Sequence, residues 1–193
     1  MNAVGILLAA GRGRRFDPLG TRNKLLQPLP SGVPVVVASA RNLLSVLPRV
    51  IAVVPPQDGG VADALRALGC EVTLCAEADS GMAASLVQAI ACSLPQADAW
   101  LVALGDMPYV APSTLHALLA ALGAGAGIAA PVFEGRRGNP VAFGAVHLPA
   151  LLALQGEHGA RALLKSASVT EVAVDDPGVL RDIDTPDDLM SVD

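Results

Sequence analysis

A chain of 193 residues that is 52% hydrophobic holds enough apolar material for a full core and is expected to form a single domain over residues 1–193. Only 3% of residues are aromatic and 16% are charged, so the core must come from Leu, Val, Ile and Ala, as in helix-covered parallel sheets. A net charge of −5 argues against non-specific nucleic-acid binding, which requires a basic face. Cys70, Cys75 and Cys92 are odd in number and lack Cys-x-x-Cys spacing, which argues against structural zinc or a disulfide framework. The weakly polar run over residues 117–133 is broken by glycines and Pro131, and it reads as helix, turn and strand rather than a membrane span. No basic residue precedes the first apolar run, unlike a signal peptide. The protein is expected to be cytoplasmic, with no membrane or nucleic-acid partner.

The apolar run Ala3 to Ala10 has strand length and is stopped by Gly11 and Gly13, so the chain leaves a buried strand through a tight loop. That is where open α/β sheets bind ligands. Small residues at Ala9, Ala10, Gly11 and Gly13 admit close backbone approach, and Arg12, Arg14, Arg15 and Lys24 surround the loop with positive charge. A polyanion suits such a loop, and a nucleotide phosphate is the commonest one. Three readings stay open: a strand-to-loop turn with solvated arginines, a loose dinucleotide fingerprint with Phe16 in place of its third glycine, and a nucleoside triphosphate loop. A P-loop is disfavoured because no Gly-Lys-Ser/Thr closes the segment.

Pro28 to Pro34 forms a turn-rich bend, followed by a helix over Val35 to Leu47, a buried strand over Arg49 to Val54 and an amphipathic helix over Asp58 to Leu68, stopped by Gly69. Glu71 to Cys75 is a third strand. Asp79 or Ser80 is positioned to cap the next helix, which runs to about Ser93 and presents free N–H groups and its positive dipole end. The strand Ala99 to Leu104 ends in Gly105-Asp106-Met107-Pro108. That places Asp106 either at the ligand edge of the sheet or in an ordinary turn before proline. Then come a helix from Pro112 to Leu122, a strand from Gly127 to Phe133 and a polar loop that includes Arg136 and Arg137. Val141 to Phe143, a short helix from Leu148 to Leu154 and a last strand from Val169 to Val174 complete the series. His116, His147 and His158 have no partners in the pattern and read as surface or packing residues. Alternating strands and helices predict right-handed crossovers and an α/β, Rossmann-like, mostly parallel sheet flanked by helices.

In the segment Arg181-Asp182-Ile183-Asp184-Thr185-Pro186-Asp187-Asp188-Leu189, Thr185, Pro186 and Asp188 suffice as a helix start. Asp182 and Asp184 precede the cap, and in extended backbone they share a face.

Leu8-Ala9-Ala10-Gly11 with Arg15 and Lys24, Gly81-Met82 with Ser85-Leu86, Leu104-Gly105-Asp106, Gly138-Asn139-Pro140-Val141, Gly156-Glu157-His158-Gly159-Ala160-Arg161 and Asp182-Ile183-Asp184-Thr185-Pro186 together resemble the nucleotidyltransferases of molybdenum cofactor biosynthesis. The resemblance is strongest to the cytidylyl-transferring members and runs from residue 4 to residue 189. Ala83 and Ala84 stand where that family has a glycine and a hydroxyl, and the interval from Arg15 to Lys24 is longer than its usual one. The resemblance implies a fold of the nucleotide-diphosphate-sugar transferase type and transfer of a nucleoside monophosphate, CMP from CTP by preference, to a phosphorylated pterin-type acceptor such as molybdenum-molybdopterin, releasing pyrophosphate.

It further implies nucleotide contacts at Leu8, Ala9, Ala10, Gly11, Arg15, Lys24, Gly81, Met82, Ser85 and Asp106, with Arg15, Lys24 and Asp106 catalytic. Asn139 and Pro140 would face the acceptor, Asp106, Asp182 and Asp184 would hold Mg²⁺, and a molybdoenzyme or its chaperone would be a protein partner. A sugar-1-phosphate or guanylyl-type transferase, or a non-catalytic nucleotide-binding partner in molybdoenzyme maturation, are the alternatives.

Overall fold

The computed structural model describes residues 1–11, 13–156 and 159–190; Arg12, Glu157 and His158 lie outside them. The strands are β1 (Ala3–Leu8), β2 (Val50–Val54), β3 (Glu71–Leu74), β4 (Ala99–Leu104), β5 (Ile128–Phe133), β6 (Arg136–Arg137), β7 (Val141–Gly144) and β8 (Thr170–Ala173). They form one sheet in the order β3-β2-β1-β4-β7-β5-β6, with β8 paired parallel to β5. The helices are α1 (Val35–Leu44), α2 (Val61–Ala67), α3 (Met82–Ser93), α4 (Pro112–Gly123), α5 (Leu148–Leu152), α6 (Arg161–Ser166) and α7 (Pro186–Met190). β1, β2, β3 and β4 run parallel, and β7 enters antiparallel between β4 and β5. The result is an α/β fold with a mostly parallel central sheet flanked by helices.

The two-residue period of β1 decides its layers. Val4, Ile6 and Leu8 point into a core with Leu86 and Ile90 of α3 and Leu151 of α5. Leu7 points to the opposite core, with Val36 and Leu43 of α1, Leu65 of α2 and Leu118 of α4. Each fully buried Leu or Ile contributes about 2 kcal/mol, so the central strands are anchored from both faces. Among the described residues no helix is long and apolar enough to cross a membrane.

Chain order β1, β2, β3 moves outward on one side of β1, and β4 returns to its other side. The switch point therefore lies between β1 and β4, where such sheets open a crevice for ligands. Gly105 makes the join close, because its N–H donates to Leu8 O at 2.9 Å and an added Cβ would lie 3.2 Å from both Ala9 Cβ and Leu8 O.

Several local expectations change. α3 is not capped by Asp79 or Ser80: residues 78–80 form a 3-10 turn, and Gly81, at φ +125°, is the N-cap without a side-chain cap bond. One free N–H of that helix end, Ala83 N, donates to Gly156 O at 3.3 Å. Asp58 lies outside α2 and caps its entry, accepting from Gly60 N at 2.7 Å and Ala62 N at 3.0 Å. α1 and α5 end earlier than the apolar pattern suggests, since terminal apolar residues pack equally well from a turn. The polar loop after β5 contains the short strand β6, whose Arg137 pairs with Glu171 of β8 at 2.7 Å, so this arginine braces the sheet edge.

Candidate functional site

The site lies at the C-terminal ends of β1 and β4. A cleft of about 310 Å³ is lined by Leu8, Ala9, Ala10, Gly11, Lys24, Leu25, Ala78, Gly81, Met82, Ser85, Leu104 and Asp106. Nine residues expected around a nucleotide thus converge on one space, although they come from the β1 loop, the 3-10 turn beginning at Lys24, the start of α3 and the end of β4. A wider cleft of about 800 Å³ adjoins it through the shared walls Ala9, Gly11, Lys24, Leu25 and Ala78, and continues between the loop over 13–27 and residues 55–59. The segment Pro55-Pro56-Gln57 was not anticipated as a wall. Its signal was available, since it leaves the C-terminal end of a parallel strand next to β1.

Lys24 is the hub. Its side chain is only 10% exposed, and Nζ lies 2.8 Å from Asp106 Oδ2 and 3.4 Å from Asp184 Oδ1. Arg15, 78% exposed, reaches the other oxygen of Asp184 at 2.6 Å. Asn23 sets the Lys24 turn: its Oδ1 accepts from Leu25 N at 3.0 Å, and its amide donates to Asp58 O at 2.8 Å. The long interval from Arg15 to Lys24 is wound round one carboxylate. Buried Asp17 accepts from Thr21 Oγ1 and Arg22 N at 2.7 Å each and from Leu19 N at 3.1 Å. The Thr21 hydroxyl first, then the Arg22 amide, hold this carboxyl below its ordinary range. The loop is thus a compact structure, with Phe16 buried beneath it and Arg22 over the ring at 5.5 Å.

The second acidic segment is pinned to the first by backbone: Ile183 N donates to Asp106 O at 2.8 Å, and Ile183 is fully buried. Asp182 and Asp184 flank it on the exposed side. Burial, then the neighbouring charge of Asp184, raises the Asp182 carboxyl above its ordinary value. A carboxyl whose folded value is raised binds its proton more tightly folded than unfolded, so it costs stability once the pH climbs above its unfolded value. Asp182→Asn is therefore expected to raise the melting temperature of the metal-free protein at neutral pH, with the gain fading as the pH falls into the carboxyl range. Thermal melts of both proteins across pH check this.

Asp188 takes the role read from the sequence at the start of α7, accepting from Asp184 N at 2.9 Å, Thr185 N at 2.6 Å and Thr185 Oγ1 at 2.8 Å. Burial pushes its carboxyl up, but the Thr185 and Asp184 donors and the charge of Arg181 outweigh it and leave it below its ordinary value. Buried Asp176 lies just after the last strand, in a stretch the apolar pattern leaves unassigned. It joins the last segment to the start of α4, accepting from Thr114 Oγ1 at 2.6 Å and Ala111 N at 2.9 Å.

As for a metal, Lys24 Nζ already shows that a cation fits between Asp106 and Asp184. Two carboxylates suit a small hard ion that completes its shell with water and phosphate oxygens. Among the described residues no three His, Cys, Asp or Glu side chains surround a common point, so Asp106, Asp182 and Asp184 do not form a three-ligand cage. Asn139 and Pro140 line neither cleft; they line a gap of about 10 Å³ together with Met107 and Val110, which shares only Leu104 with the smaller cleft, and Asn139 N donates to Val179 O at 2.9 Å.

The family model described as "MobA-like NTP transferase domain" matches residues 5–172. The purine catabolism protein PucB of Bacillus subtilis is 29% identical over 96% of this chain and 93% of its own. The crystal structure of Rv0371c from Mycobacterium tuberculosis in complex with manganese is 29% identical, with a TM-score of 0.80 over all of both chains. A nucleotidyl transferase from Methanothermobacter is 27% identical, with a TM-score of 0.79 over 97% of this chain and 94% of its own.

Proposed function

We propose a mechanism from one premise: the chain belongs to the MobA-like NTP transferase domain family and is a nucleotidyltransferase. The finer reading is transfer of a nucleoside monophosphate, CMP from CTP by preference, to a phosphorylated acceptor of the molybdopterin type. The observation that carries nucleotidyl transfer is Lys24 Nζ held between Asp106 and Asp184, with Lys24 and Asp106 lining the Gly11 cleft; the choice of CTP and of the acceptor rests on the resemblance of the Leu8-Ala9-Ala10-Gly11 loop and the later motifs.

The acceptor is already an anion, so its phosphate oxygen needs no strong base. It attacks the α-phosphorus, the bond from that phosphorus to the bridging oxygen breaks, and pyrophosphate departs with the electron pair. The obstacle is repulsion between anions, and preorganised positive charge lowers it. Lys24 and Arg15 supply that charge on the two sides of Asp184. Asp106 and Asp184 would hold the divalent ion, with Asp182 beside them; Mg²⁺ there supplies Lewis-acid neutralisation of the phosphates. The manganese bound by the Rv0371c relative supports a divalent ion. The backbone of Leu8, Ala9, Ala10 and Gly11 receives the nucleotide, and Gly81, Met82 and Ser85 wall its other side. Asn139 and Pro140 are assigned to the acceptor on the resemblance of Gly138-Asn139-Pro140-Val141, and they line a small gap with Leu104 and Met107, on either side of Asp106 in the chain.

A panel of CTP, GTP, ATP and UTP with Mg²⁺ and molybdopterin-type acceptors, read by pyrophosphate release, tests this. CTP with a molybdopterin acceptor should give the fastest release. Release only with a sugar 1-phosphate would replace the acceptor, and preference for GTP would replace the base.

A further inference from the structure

Asp106 and Asp184 come from the two ends of β4 and α7, and a shift of one segment against the other would open the gap between them. The backbone bond from Ile183 N to Asp106 O ties them at one point, and Asp176 ties the chain to the start of α4 further back. Between these ties sits a contact that the transfer chemistry does not use. The Arg181 guanidinium lies over the Tyr109 ring, 4.3 Å from Cζ to centroid. Tyr109 follows Asp106 by three residues, and Arg181 precedes Asp184 by three. Tyr109 Oη and Arg181 Nη2 are buried and meet no hydrogen-bond partner among the described residues, so the pair is held by the ring face and by charge. On the far side of Asp184, the Asp188 carboxylate accepts from Asp184 N at 2.9 Å and from Thr185 N at 2.6 Å, fixing the backbone that carries Asp184.

We propose that Tyr109, Arg181 and Asp188 form a strut of positioning residues that holds Asp184 in register with Asp106 and so sets the affinity of the site for its divalent ion. The inference rests on Asp106 and Asp184 as metal ligands. A planar guanidinium suits the task because it stacks flat on a ring while keeping its charge.

The test uses the full chain, Mn²⁺ as probe and the α,β-methylene analogue of whichever nucleoside triphosphate supports turnover, with bound ion read from the loss of the free Mn²⁺ resonance. Arg181→Gln and Tyr109→Leu should each weaken Mn²⁺ binding about tenfold, the low end for partners behind metal ligands. Because they remove one contact, the double variant should bind no more weakly than either single one. Tyr109→Phe keeps the ring and should bind like wild type. Turnover by Arg181→Gln should recover to within about twofold of wild type at saturating Mg²⁺, as expected for lost metal affinity rather than lost transition-state contact.

Unchanged Mn²⁺ affinity in Arg181→Gln, or additive losses in the double variant, would overturn the strut. Asp184→Asn separates the two failures. If it leaves Mn²⁺ binding intact, the assignment of the metal ligands is wrong; if it weakens binding while Arg181→Gln does not, only the strut is.

Discussion

Asp106→Ala is expected to abolish transfer while the protein stays folded. The carboxylate closes the strand at the switch point, touches Lys24 at 2.8 Å and lines the same cleft as Gly11 and Ser85, so a nucleotide in that cleft lies against it. Losing one of the two carboxylates proposed to hold the divalent ion should lower kcat on the order of a thousandfold. The effect on stability is much smaller, because Asp106 is about one-quarter exposed and a solvated ion pair is worth no more than about 1 kcal/mol. Its backbone carbonyl, which anchors Ile183, is untouched by the substitution. Pyrophosphate release and a thermal melt on the same preparation decide the matter: near-normal turnover, or a collapsed fold, refutes the assignment.

Lys24→Met should produce opposite changes in two measurements. Turnover should fall on the order of a hundredfold, because the ammonium proposed to neutralise the phosphates is lost. Binding of Mn²⁺ alone should tighten, because the native ammonium occupies the space between Asp106 and Asp184 that a metal ion would take. Methionine retains much of the apolar stem that packs in this 10% exposed position, so the change is chiefly one of charge. The same variant should melt lower without metal, with two carboxylates left facing each other, and should gain more from added Mn²⁺ than wild type does. If Mn²⁺ binds it no better than wild type, Lys24 does not stand in the cation's place.

Much of the site was legible in one dimension because its parts sit at punctuation. Gly11 and Gly105 end buried strands, and in a parallel sheet strand ends gather at one edge whatever the strand order. The Asp188 cap was legible too, since its spacing from Thr185 is a local signal. The cap at Asp79 or Ser80 failed because Gly81 left its own dihedral choice open, and the neighbouring residues used their bonds in a 3-10 turn. The role of Asp17 was invisible, because a loop that wraps one carboxylate carries no period.

By itself the sequence determined most of the strands and helices, though not the short β6 and α6, which ends carry glycine, acid or base, and that positive charge surrounds the first loop. These follow from local sterics and apolar spacing. Only the tertiary structure decided that β7 runs antiparallel beside β4, that Asp176 reaches the start of α4, and that Lys24 bridges Asp106 and Asp184. Contacts between residues far apart along the chain depend on how whole layers pack, and no local pattern encodes the distance between two side chains that meet only after the sheet has closed around its core.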